Sequence, residues 1–313
     1  MKLKHILLAS TLLVQSFLYG QNYNVTETQF TPELIGNLYQ NKQKSKTVIL
    51  IIPGSGPTNR DGNSGMLQTN SLKFLAEDLA NQQYDVATYD KRVLHLIKNF
   101  KGTPDEFPAI DFQHGIDDAK SIINYLKDNL KYKNVVIIGH SEGSLIGMNA
   151  ANNTSHAFIS IAGAGRSIDL ILKDQIGKQA PMLIEPTEKI LEELKRGNKV
   201  EEINPMLQAV FAKNNQPFII EWIQHNPQQE IKALDMPVLI INGDKDLQVD
   251  VKEAELLKQA KTDAQLVIVK NMNHILKEIK DDSENLNSYY KSDLPLHKDL
   301  VPIITQFLKA NKL

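Results

Sequence analysis

The sequence has no cysteine and a single tryptophan, Trp222. Without cysteine the chain has neither a disulfide framework nor a thiol for lipid attachment, so its fold must rest on a packed core. No stretch repeats at a fixed period, and no glycine loop of the phosphate-cradling kind occurs. His114 and Asp117 stand three apart with no third ligand nearby, which predicts a solvated pair and no metal site. Nothing calls for a cofactor. Charge of one sign is not in excess either. The 35 Lys and Arg against 37 Asp and Glu leave a net charge of −2, which gives no reason to expect a nucleic-acid partner.

One apolar run stands apart from the rest. Lys2 and Lys4 precede the mostly apolar residues 6–18, and Gly20 offers a small residue ahead of Gln21. The run is shorter than the roughly 20 residues a spanning helix needs, so residues 1–20 read as a secretory signal peptide. A retained N-terminal anchor is the competing reading. Export to a periplasm or beyond is expected, with no stable membrane span after cleavage. Over the whole chain 42% of residues are apolar, enough for a large core, and 23% are charged, which argues against disorder.

Gly139-His140-Ser141-Glu142-Gly143 carries the chemistry. It follows the β-branched run 134–138 and leads into a helix-like stretch, 144–152. Strand, G-x-S-x-G, helix is the context of a nucleophile elbow, where a strained turn lifts a serine hydroxyl clear of a sheet. Ser141 is then the nucleophile. Gly139 and Gly143 are required because side chains there would collide with the neighbouring strand and helix. The Glu142 amide, at a helix start, points toward substrate.

A serine nucleophile needs an acid and a base, expected in the order Ser, Asp, His. The strand 237–242 runs into Gly243-Asp244-Lys245-Asp246. Asp246 is favoured as the acid because it lies far enough past the strand to reach an imidazole, and Asp244 is left to hold the turn. The strand 265–270 is followed by Asn271-Met272-Asn273-His274. His274 fits the base. His95, His114, His156 and His225 precede the acid, His140 belongs to the elbow, and His297 starts the last helix. The strand 47–52 ends in Pro53-Gly54-Ser55-Gly56-Pro57, whose small residues let the Ser55 amide pair with that of Glu142 in an oxyanion hole.

Taken together, 53–63, Tyr89-Asp90-Lys91-Arg92, the elbow, 241–246 and 271–274 resemble the α/β-hydrolase superfamily, in particular secreted bacterial carboxylesterases and serine aminopeptidase-like hydrolases. The resemblance spans nearly the whole chain. It implies a mostly parallel central sheet with helices on both faces. One departure is that Val93-Leu94-His95-Leu96 follows Tyr-Asp-Lys-Arg where relatives commonly carry a glycine-rich turn, and this stretch is read as a loop bordering the site.

Along the chain, 22–46 reads as an irregular lead-in or short hairpin, 72–82 and 115–130 as helices, and 84–89 and 158–162 as strands. Asp117-Asp118 suits the start of the second helix. Between 166 and 234 the alternation stops, and helices are expected over 167–179, 186–196 and 205–213. The expected organisation is a hydrolase core over 21–165 and 235–313, with 166–234 as a helical cap above Ser141. Trp222, Phe211 and Met206 either line an acyl pocket or form the cap's own core, and the core reading is preferred.

The leading expectation is a carboxylesterase-type serine hydrolase acting on small to medium acyl esters through an acyl-enzyme. A serine exopeptidase or amidase with the same triad is the alternative, with Glu185, Glu188, Glu192 and Glu193 available to bind an amino terminus. A non-catalytic binding protein of the same fold is a third reading. A dehalogenase is disfavoured because Ser141 stands where an Asp nucleophile is needed.

Overall fold

A computed structural model describes residues 22–65, 67–103, 106–151 and 155–313. The expected signal peptide, 1–20, lies outside them, as does Asn152, the expected last residue of the elbow helix. Eight strands form one sheet in the order β1-β2-β4-β3-β5-β6-β7-β8. They are β1 (Tyr23–Thr31), β2 (Leu34–Asn41), β3 (Thr47–Ile52), β4 (Asp85–Tyr89), β5 (Asn134–His140), β6 (Ala157–Ile161), β7 (Val238–Gly243) and β8 (Gln265–Val269). β3 to β8 pair in parallel, while β1 and β2 form an antiparallel hairpin joined antiparallel to β4. Of the two readings of 22–46 the hairpin holds, and it is long, regular and part of the sheet.

β3 shows why the sheet needs helices on both sides. All six of its residues are buried. Val48, Leu50 and Ile52 enter one core, and Ile49 and Ile51 enter the other. The first core is closed by α3 (Phe112–Asn124), α4 (Glu142–Ala151) and α10 (Val251–Ala260), the second by α1 (Ser71–Asn81) and α11 (Leu300–Ala310). Continuous β-branched strands are the signature of such a doubly covered sheet. The chain leaves β3 toward β4 on one side and returns to β5 on the other. The carboxyl ends of β3 and β5 therefore flank the point where strand order reverses, the usual place for a site in an open α/β sheet.

Two expected elements shift. The stretch after Lys91 is not a loop but α2 (Arg92–Asn99), a segment without glycine that continues as a helix. The helix expected over 115–130 starts earlier, with Asp111 as its cap. The Asp111 carboxylate accepts from the His114 amide at 3.0 Å, and a π-helical turn, Tyr125–Asn129, ends the element. Asp118, expected at the helix start, instead turns inward to pair with Arg92.

Between β6 and β7 the described elements are helical: α5 (Ile168–Gln179), α6 (Ile184–Lys195), the single turn α7 (Gln208–Phe211), α8 (Gln216–Ile223) and α9 (Pro227–Lys232). The helix expected over 205–213 is only a 3-10 turn followed by α7, because the chain turns at 212–215 before α8 starts at Gln216. Ile168, Leu194, Phe211 and Ile219 belong to a third core within this stretch, whereas Ile231 of α9 packs into the sheet's own core.

Candidate active site

Ser141 sits between β5 and α4 with φ of 55°, the left-handed region that costs a side-chain-bearing residue about 1–2 kcal/mol. Its amide is tied to the Ile161 carbonyl at the end of β6, at 2.9 Å. A Cβ added at Gly139 would lie 2.3 Å from the Gly143 carbonyl oxygen, and one at Gly143 would lie 2.4 Å from that of Ile52. Both glycines are fixed by close backbone approach. Glu142 is the first residue of α4, so its amide has no acceptor within the helix.

Asp246 and His274 meet across the loops after β7 and β8. The His274 Nδ1 and Asp246 Oδ2 are 2.8 Å apart, with both side chains at 5% exposure or less. The other carboxylate oxygen of Asp246 accepts from the amides of Gln248 and Val249 at 2.8 and 2.9 Å, which fixes its rotamer. Asp244 does something else. It accepts from the Asn271 amide at 2.5 Å, pinning one loop to the other. Asp246 thus pairs with His274, whereas Asp244, expected to hold its own turn, instead joins the two loops.

His140 supports this pair. Its Nε2 lies 2.8 Å from the His274 carbonyl oxygen, which can only accept, so Nε2 carries the hydrogen. Burial, helped by the neighbouring His274, pushes the His140 imidazole down to about 4. It is therefore a neutral donor at ordinary pH.

Ser55, Ser141 and Glu142 line one wall of a cavity of about 530 Å³, within the size range of small-molecule sites. Much of the remaining lining comes from the helical stretch, including the apolar Ile168, Ile171, Phe218, Ile219 and Trp222. Trp222 was expected to lie in the core of that stretch. It does pack there, but it also faces the cavity and stacks on Phe112 at 5.3 Å with the rings 10° apart. Phe211 is a core residue as expected, whereas Met206 is 66% exposed and belongs to neither.

The charges around the cavity are paired. Lys91 bonds the Glu142 carboxylate at 2.7 Å, and Arg92 bonds Asp118, whose carboxyl burial pushes up and Arg92 pulls back. His114 pairs with Asp111 at 2.6 Å, while Asp117 accepts from Gln113, so the expected His114–Asp117 pair does not form. Glu185 pairs with Lys189, Glu188 with Lys173 and Glu193 with Arg196. None of these glutamates, nor Glu192, lines the cavity. Among the described residues no group of three or more His, Asp or Glu is arranged to hold a metal, and no helix is long and apolar enough to cross a membrane.

Lys91, Asp90 and Arg60 were invisible as parts of the site by spacing alone. Arg60 grips Asp90 through its amide at 2.8 Å and its guanidinium at 2.7 Å. This ties the loop after β3 to the end of β4. The only sequence signal was that both stretches belong to the matching motifs.

The family model for BD-FAE matches residues 37–260, which include Ser55, Ser141 and Asp246 but stop before His274. The chain belongs to the BD-FAE family. This BD-FAE member is 26% identical over 237 residues to esterase EstD of Thermotoga maritima, covering 73% of the chain and 54% of EstD. It thus spans about half the length of that relative. Among solved structures, Pyrococcus furiosus esterase Pf2001 shares 15% identity at a TM-score of 0.56, covering 92% of this chain and 91% of that one. Est1E of Butyrivibrio proteoclasticus shares 13% identity at a TM-score of 0.54, covering 91% and 99%. At such identities the likeness shows the fold: this is an α/β-hydrolase fold.

Proposed function

We propose that the protein is a carboxylesterase-type serine hydrolase that cleaves small to medium acyl esters through an acyl-enzyme on Ser141. The observation that carries the reading is the buried Asp246–His274 pair on the two loops, held through the His274 carbonyl by His140, the residue before a strained Ser141 that lines the cavity. The printed names of EstD and Pf2001 as esterases support the same chemistry.

In this reading His274 Nδ1 is committed to Asp246, which leaves Nε2 to take the Ser141 proton as the hydroxyl oxygen attacks the ester carbonyl. The negative charge that develops is met by the amides of Ser55 and Glu142. Collapse of the tetrahedral intermediate expels the alcohol with the proton from His274, and water then repeats the sequence to release the acid. The helical residues 166–234 act as a cap that selects the acyl group. Residues 1–20 direct export and are removed.

The reading is tested on purified protein with p-nitrophenyl esters of graded length beside aminoacyl-p-nitroanilides, and with a fluorophosphonate probe. Esters should be turned over and the anilides should not. The probe should label Ser141, and Ser141→Ala should lose labelling together with turnover, by a factor on the order of 10^4 to 10^6. Unchanged ester turnover in Ser141→Ala would sink the reading.

A further inference from the structure

We propose that Lys91 is a positioning residue that aims both oxyanion donors. The inference rests on the serine-hydrolase reading above. The Lys91 ammonium donates to the Glu142 carboxylate at 2.7 Å and to the Gly54 carbonyl oxygen at 3.2 Å. Glu142 carries one donor amide itself, and Gly54 shares a peptide with the other, that of Ser55.

The geometry of the peptide makes the second contact consequential. No peptide among the described residues is cis. In a planar trans unit the carbonyl and the following N–H point in opposite directions. Holding the Gly54 oxygen on Lys91 therefore aims the Ser55 N–H the other way. The first contact restrains the opening turn of α4, where the Glu142 side chain is 1% exposed.

Further bonds tie Lys91 to the first part of the loop. Its own amide donates to the Thr58 carbonyl at 3.3 Å, and the Thr58 hydroxyl donates to the Ser55 carbonyl at 2.8 Å. The ammonium also lies 5.9 Å from the Phe218 ring centroid on α8, at the outer reach of a cation–π contact. A buried ion pair is weak evidence for stability, because an apolar pair of like shape often replaces it without loss. One that fixes the direction of two catalytic amides has a different reason to be there.

The test compares the wild-type protein with Lys91→Met and with the double variant Lys91→Met/Glu142→Gln, which leaves no unpaired buried charge and so separates positioning from folding. Ester turnover and fluorophosphonate labelling of the wild type are measured first. Their absence overturns the serine-hydrolase reading and this inference with it. Where both are present, kcat of the double variant should fall about 10- to 100-fold, with KM within about twofold. Inhibition by a trifluoromethyl ketone, which forms an oxyanion on Ser141, should weaken by the same factor as kcat/KM, and inhibition by the matching methyl ketone should not change. A folded double variant with wild-type kcat, or one that loses both inhibitors equally, overturns the role of Lys91 and leaves the serine-hydrolase reading standing.

Discussion

His140 donates its Nε2 hydrogen to the carbonyl of His274, with the two rings 5.0 Å apart. The residue just before the proposed nucleophile thus holds the backbone of the proposed base. Strand β5 and the loop after β8, distant in sequence, are fixed to one another beside the proposed nucleophile.

That contact has a pH consequence. The His140 pKa is lowered from 6.5 to about 4 by burial, so between those values the unfolded chain takes up a proton that the folded one refuses. Stability should fall as pH drops from about 6.5 to 4 and level off below, with no contribution from this group above 6.5. Thermal unfolding of wild type and His140→Gln across this range checks it. The variant should lose part of the slope; identical profiles would mean that His140 is not the group responsible.

Asp246→Asn should cut turnover by a factor on the order of 10^4 while leaving the fold intact, since an amide cannot stabilise an imidazolium and favours the wrong tautomer. Asp244→Asn keeps an acceptor for the Asn271 amide and should cost under about 1 kcal/mol of stability, with activity near wild type. Kinetics and denaturant melts on the pair decide. Losses in the opposite order would exchange the two roles.

Gly143→Ala should harm both stability and catalysis. Its Cβ would come within 2.4 and 2.5 Å of the Ile52 and Pro53 carbonyl oxygens, neither of which is a flexible side-chain end. The end of β3 must then move, at a cost of about 1–3 kcal/mol, and the proposed Ser55 donor moves with it. A variant with unaltered melting and turnover would show that the elbow and β3 are not held in this close approach.

Trp222→Ala should alter acyl selectivity more than the rate on the shortest ester. The indole forms cavity wall and stacks on Phe112, so removing it lengthens the pocket and exposes apolar surface. Each methylene buried there contributes up to about 0.8 kcal/mol, so the chain-length optimum should shift to longer esters. Profiles of kcat/KM across graded p-nitrophenyl esters read this directly. An unchanged profile in a folded variant would assign the helical stretch to scaffold.

The strand, turn and helix around Ser141 and the parallel sheet were legible because each depends on local pattern. β3 reads as a buried strand from its own six residues, and Gly139 and Gly143 announce a tight turn without reference to anything distant. That Asp246 rather than Asp244 reaches His274 was legible because two residues of extra reach past a strand end is a local property.

What the tertiary structure decided are the partners of long or polar side chains. The His140 and His274 contact joins residues 134 positions apart, and Lys91 meets Glu142 across 51 and Gly54 across 37. Spacing carries no information about such pairs, because they exist only once the sheet has set its strand order. For the same reason Asp118 turned from a helix start to a partner of Arg92, and Trp222 from a core residue to one that also walls the cavity. Periodicity fixes which face of an element is apolar. Which neighbour covers that face, and whether a cavity is left between them, follows from how the elements pack.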